Sequence, residues 1–135
     1  MAQVQAELRE LDAWNGDRDP LSALRPRAAE PGDGYLLASW KQLLDDGRMQ
    51  DGDEHLRATA RPPVLLANPA TLAEIGVVPG ATVTVTGPLG SLELAVGEAD
   101  LADGTVWAPA SAPGASVRHR VGPAGCRVTI TGGIA

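Results

Sequence analysis

Turn-forming residues punctuate the second half of this chain so often that no long element fits between them. The stretch NPATLAEIGVVPGATVTV, residues 68–85, sets the scale: a short helical run, a glycine, a Pro-Gly pair and an alternating strand. From Val64 onward such signals recur roughly every 8 to 12 residues, the spacing of small all-β folds. The chain carries 16 glycines and 11 prolines in 135 residues, a fifth of its length. Short strands joined by tight turns follow from that density, with room for helices of one or two turns.

The strands read directly from alternation. VLLA (64–67), after Pro62-Pro63, is a buried strand. Asn68 is an N-cap and Pro69 sits at the first helical position, where its missing N–H costs nothing. Gly76 closes that helix, and Pro79-Gly80 makes a turn. ATVTVT (81–86) places Val83 and Val85 on one face and threonines on the other. GPLG (87–90) is the hairpin connection, and SLELAV (91–96) points Leu92, Leu94 and Val96 inward. After an Asp103-Gly104 turn, TVWAP (105–109) is a strand ended by proline, and CRVTI (126–130) puts Cys126, Val128 and Ile130 on one face. This pattern predicts a mainly-β fold, a small closed β-barrel with short helices, and closure hides the edges such strands would otherwise expose.

The first half is less regular. Residues 1–33 read as an N-terminal arm: a short helix over Val4 to Trp14, with Leu8 and Leu11 at helical spacing, then a linker rich in breakers and mixed charge. An arm of this kind suggests a piece of a longer protein. GYLLASWKQLLDDG (34–47) is open to two readings. Leu36, Trp40, Leu43 and Leu44 fit a helical face, while Tyr35 to Ser39 fits a buried strand. DDGRMQDGDEHLRATARPP (45–63) is polar, has two Asp-Gly steps, and reads as loop.

Composition removes several function classes. Net charge is −6 and the basic residues are scattered, with Arg118-His119-Arg120 the best cluster, so there is no nucleic-acid footprint. No apolar run approaches the roughly 18 residues of a membrane span, and the N-terminus lacks a signal-peptide pattern. A single cysteine, Cys126, excludes an internal disulfide and fits a reducing compartment. With His55 and His119 far apart, one Cys does not make a structural zinc or iron–sulfur site, so no metal is expected. Cys126, with apolar residues two and four positions on, reads as a small core residue. The acidic run from Asp45 to Glu54 lacks the ligand spacing of a calcium loop and reads as solvated. With no phenylalanine and only Trp14, Tyr35, Trp40 and Trp107 as aromatics, the core must be aliphatic.

The order strand, NPATLAEIGV, PGATVTV, GSLEL, DGTVWAP, SAPGASV resembles the molybdopterin-dinucleotide-binding domain, the C-terminal double-psi β-barrel of molybdopterin oxidoreductases. The shared motifs are Gly76-Val77, Pro79-Gly80, Gly87 to Gly90 and Gly104 to Pro109. Residues 34–135, through LLASWKQLLDDGRMQ and WAPASAPGASVRHRVG, are similar in particular to the C-terminal end of the large iron–sulfur subunits (G subunits) of bacterial NADH-quinone oxidoreductases, respiratory complex I, in their actinobacterial or a similar form. The resemblance implies that Tyr35 to Ser39 is the first barrel strand and that the barrel is residues 34–135. It also implies a structural, non-catalytic role within an electron-transfer complex, with iron–sulfur clusters held upstream of this region. The partners it implies are the remainder of the parent subunit and other peripheral-arm subunits at the cytoplasmic side of the inner membrane. The isolated piece is expected to be a monomer.

In cofactor-binding members of that family, residues just after the first strand and in the loop after the fourth main strand grip a pterin dinucleotide. Here those positions read Ser39-Trp40-Lys41, where Thr-x-Arg is usual, and Ala110-Ser111-Ala112, where Asn or His is often found. Lysine keeps the charge without the planar fork that grips phosphate twice, and Asp51 would repel it. Ser39, Lys41, Ser111 and Arg118 are therefore the expected remnants of a cofactor site, with Arg118 near a helix beginning about Ser116. The alternative reading is a functional domain binding molybdopterin guanine dinucleotide, as in a formate dehydrogenase. A third, a pyruvoyl-dependent decarboxylase cleaving itself at Gly90-Ser91, would need a strained step there, and the sequence offers a plain hairpin turn.

Overall fold

The computed structural model describes residues 2–10, 16, 32–45 and 47–132. Helix α1 spans Ala2–Glu10. It starts two residues before the helix expected from the sequence, whose Leu11 to Trp14 end lies outside the described residues, as does most of the linker.

Six strands close into a barrel in the order β1-β5-β2-β4-β3-β6. They are β1 (Tyr35–Trp40), β2 (Val64–Ala67), β3 (Thr82–Gly87), β4 (Gly90–Glu98), β5 (Thr105–Pro109) and β6 (Arg127–Thr131). The expected mainly-β closed barrel is thus what the chain forms; β2 and β5 have the expected boundaries and the other strands differ by one or two residues. Segment 34–47 resolves in favour of the strand. Leu37 is fully buried while Trp40 and Leu43 are exposed, so no helical face joins them.

The pairings contain an internal two-fold relation. Strand β1 runs parallel to β5 and β2 parallel to β4, while β1–β6, β2–β5, β3–β4 and β3–β6 are antiparallel. Exchanging β1, β2, β3 with β4, β5, β6 leaves every pairing and its sense unchanged. The connections obey it too. Helix α3 (Pro69–Ile75) links β2 to β3, and helix α4 (Val117–Arg120) links β5 to β6. Parallel neighbours need crossover connections, and two interlocked sets of them close the sheet on itself.

Each strand sends side chains to one interior. Leu37, Leu65, Val83, Val85, Leu94, Val106 and Val128 meet there, all branched aliphatics, and each such side chain removed from water is worth about 1.5–3 kcal/mol. The sequence alternation in β3 and β4 reads correctly: Val83, Val85, Leu92, Leu94 and Val96 are all buried. In β6, Val128 is buried, with Cys126 and Ile130 packed at its margin.

Helix α3 follows its sequence signals. Asn68 Oδ1 accepts from the Thr71 amide at 2.8 Å, Pro69 is in the first turn, and Gly76 at φ +80° ends it. That left-handed position is nearly free only for glycine. The segment expected as loop, 45–63, is more ordered than its polarity suggests. It holds a 3-10 turn (Arg48–Gln50) and a helical turn, α2 (Glu54–Arg57). Asp53 Oδ1 accepts from Leu56 N at 2.8 Å. The turn is made by this cap and not by apolar periodicity, so periodicity does not reveal it.

Part of this β1–β2 connection lies over the outside of β2 and β5. There Leu66 and Trp107 are direct cross-strand partners, and with Leu43, Leu44 and Pro62 they line a groove of about 430 Å³.

Candidate functional site

Strands β1 and β5 run parallel and end together, with Ser39 opposite Ala108 and Trp40 opposite Pro109. Beyond the strands the chain stays knitted. Ala110 N donates to Trp40 O at 2.9 Å, and Arg118 N donates to Ala110 O at 3.1 Å, which draws the start of α4 to the same end. On the other side, Gly125 N donates to Leu37 O at 2.8 Å and Leu37 N to Cys126 O at 3.0 Å, fixing the turn before β6. The result is a cleft of about 530 Å³ lined by Ser39, Trp40, Lys41, Ala110, Arg118, Pro123 and Ala124.

Three of the four residues anticipated from sequence therefore come together: Ser39, Lys41 and Arg118. Ser111 does not line the cleft. Its neighbour Ala110 continues the pairing with Trp40 and faces the opening, and successive residues of an extended segment point to opposite sides. Asp51, read as a residue that would repel phosphate, is also absent from the lining. Pro123 and Ala124 escape a sequence reading because they carry no polar chemistry. Only the hydrogen bonds of Gly125 and Cys126 to β1 bring them there.

The donors of the cleft are largely committed within the fold. Ser39 Oγ donates to Ala108 O at 2.8 Å, stitching β1 to β5. The amides of Ala110 and Arg118 are bonded as described. Among the lining side chains, Lys41, Arg118 and the indole of Trp40 remain as donors, with Lys41 and Arg118 exposed at the rim. Helix α4 has four residues, and its N-cap Ser116 makes no side-chain cap bond, so it adds no extended dipole. A pterin dinucleotide needs a ring of donors around its phosphates, and the residues present do not fit it. Two cations on long side chains beside one indole give attraction without a fixed geometry.

The other candidates resolve simply. Gly90 pairs with Gly87 across a two-residue hairpin loop, and Ser91, exposed, pairs with Thr86. The serine hydroxyl sits on an ordinary strand. Burial pushes the Cys126 thiol above its ordinary range, against a smaller opposing backbone hydrogen bond, which makes it a poor nucleophile. No helix among the described residues is long and apolar enough to cross a membrane.

Known proteins share this sequence pattern. Residues 44–132 match the family described as the molydopterin dinucleotide binding domain. Over 130 residues the chain is 39% identical to the G subunit of NADH-quinone oxidoreductase from Mycobacterium bovis, covering 94% of this chain and 15% of that one. The G subunit from Streptomyces coelicolor is 40% identical over 125 residues, covering 88% of this chain and 14% of its own length. The chain thus spans about a seventh of the curated relatives it matches. Among solved structures, acetylene hydratase from Pelobacter acetylenicus aligns with a TM-score of 0.45 at 24% identity, over 56% of this chain and 11% of that one. With the family match extending from the β1–β2 connection to the end of β6, the chain belongs to the molybdopterin-dinucleotide-binding domain family.

Proposed function

We propose that this chain is a non-catalytic packing domain of the large iron–sulfur (G) subunit of an NADH-quinone oxidoreductase, holding that subunit's fold together while electrons pass through other parts of it. The barrel would contact the remainder of its own subunit and neighbouring peripheral-arm subunits at the cytoplasmic side of the inner membrane. The observation that carries this reading is that the cleft's geometrically fixed donors are used within the fold, leaving only long or single side-chain donors. Ser39 Oγ is bonded to Ala108 O, and the Ala110 and Arg118 amides are bonded inside the fold. The similarity to such G subunits over most of the chain supports the same reading. Iron–sulfur chemistry in such a subunit would need ligands this chain does not carry, since its one cysteine is Cys126.

One observation favours a second reading, a working dinucleotide site: Trp40, Lys41 and Arg118 share one cleft with no acid among its lining residues. Titration of the labelled protein with GDP, followed by backbone amide shifts, separates the two. The packing role predicts no saturable shift at 39–41 and 110–120 up to about 1 mM ligand, a binding free energy weaker than about 4 kcal/mol. Saturable shifts confined to those residues would overturn it and restore the cofactor-binding reading.

A further inference from the structure

Large apolar side chains should disappear into a domain of this size, and most do. Among the described residues the exceptions concentrate in one place. In the connection between β1 and β2, Leu43 is 95% exposed and Met49 99%, and Leu56 is exposed too; Trp40, 70% exposed at the end of β1, belongs to the cleft described above. The core is complete without them, because every strand already fills the barrel interior with its own branched side chains. The same connection borders a mostly apolar groove, where Leu43, Leu44 and the Leu66–Trp107 pair share the lining with the polar Gln42, Thr59 and Arg61. By contrast, the outward residues of β3 and β4 are polar: Thr82, Thr86, Ser91 and Glu93 are exposed there. Exposed apolar side chains on a connection that borders a mostly apolar groove mark an interaction surface.

We infer that the β1–β2 connection and the groove it borders form the docking face for the rest of a G-subunit polypeptide, received as an apolar segment seated against Leu43 and Trp107, with the exposed Met49 of the same connection adding to the face. This deepens the packing reading and rests on it. The occupant follows from proportion. The matched region is 15% of the mycobacterial relative, so the bulk of such a chain lies outside it and is tethered to this barrel. The exposed leucine and methionine are suited to that. An aliphatic groove supplies buried area, and the unbranched methionine adapts to the facing shape. The charges are mixed, with Arg61 in the groove lining and Lys41 and Arg48 near Asp45 and Asp51 along the connection, so attraction there does not select a strongly charged partner.

The test fuses this chain, in place of the matching region, into the full-length G subunit of Mycobacterium tuberculosis, and compares amide hydrogen exchange with that of the free chain. Exchange at 41–50 is expected to slow at least about tenfold in the fusion, while residues 83–85 and 92–96 stay as in the free chain and report an intact barrel. The pair Leu43→Asp and Met49→Asp should abolish the slowing with the barrel core unchanged. Slowing confined to Val4, Val78 and Leu89, exposed apolar residues elsewhere among the described residues, would overturn this docking face and leave the packing role standing. No slowing anywhere would overturn both. Concentration-dependent slowing at 41–50 in the free chain alone would assign the face to a second copy and overturn the inference.

Discussion

A Cβ built on Gly87 would lie 2.6 Å from the carbonyl oxygen of Val121 and 2.8 Å from its Cγ1. The β3–β4 hairpin is therefore pressed onto the end of helix α4, and Leu89 N donates to the same Val121 oxygen at 3.0 Å. Backbone cannot step aside as a flexible side-chain tip can. Gly87→Ala is expected to destabilise by about 1–3 kcal/mol. Gly76→Ala meets open space at φ +80° and should cost about 1 kcal/mol from the left-handed backbone alone. Urea unfolding of both variants checks the order, and a Gly87→Ala midpoint equal to the parent's would refute the clash.

Asn68 works with both ends of its amide. Its oxygen caps α3, and its nitrogen donates to Leu101 O at 2.9 Å and Asp103 Oδ1 at 2.6 Å, tying the first half of the barrel to the turn before β5. Asn68→Ala removes the cap and both ties, an expected loss of about 1–3 kcal/mol. Asn68→Asp keeps the cap acceptor but sets a carboxylate against Asp103 and a carbonyl. It should be destabilised more at pH 7 than at pH 4, read from thermal unfolding at the two pH values.

Ser39 tests the cleft without touching its rim. If its hydroxyl serves only the bond to Ala108, Ser39→Ala costs about 0.5–1.5 kcal/mol in stability and leaves the response to GDP unchanged. A variant with parental stability and an altered GDP response would show instead that Ser39 faces a ligand.

Cys126 and Tyr35 supply the pH dependence. Burial raises the Cys126 thiol, so its alkylation by iodoacetamide should be slower than that of a free thiol at pH 8, with the rate rising at a higher pH than for a model thiol. Tyr35 is raised by desolvation first, then by the charge of Glu74 and a hydrogen bond to it. A group whose folded pKa is raised stabilises fully below its unfolded value and loses that contribution as pH rises through the folded one. Stability from Tyr35 is thus present at neutral pH and declines only in the alkaline range. Glu74→Gln should lower the phenol's midpoint in an absorbance titration, and an unmoved midpoint would remove Glu74 as a cause.

Much of the barrel is legible locally. Alternation assigns the inward faces of β3 and β4, and the Asn68-Pro69 start and Gly76 stop bound α3, because these signals act within a few residues of themselves. Other features depend on pairing between distant segments. Whether 35–40 is strand or helix is settled by parallel pairing with β5, which no window of local sequence contains. The helical turn of α2 rests on one aspartate cap in a polar run. Lys41 and Arg118 meet because β1 and β5 end together, and Ser111 misses them because Ala110 takes the paired position. The hydroxyl of Ser39 is legible as a polar group, but its bond to Ala108 needs the neighbouring strand in place. The same holds for Leu43 and Met49. Leu43 fits an apolar helical face in the sequence and Met49 falls in a run read as loop, yet both end exposed because the interior is already filled by other strands.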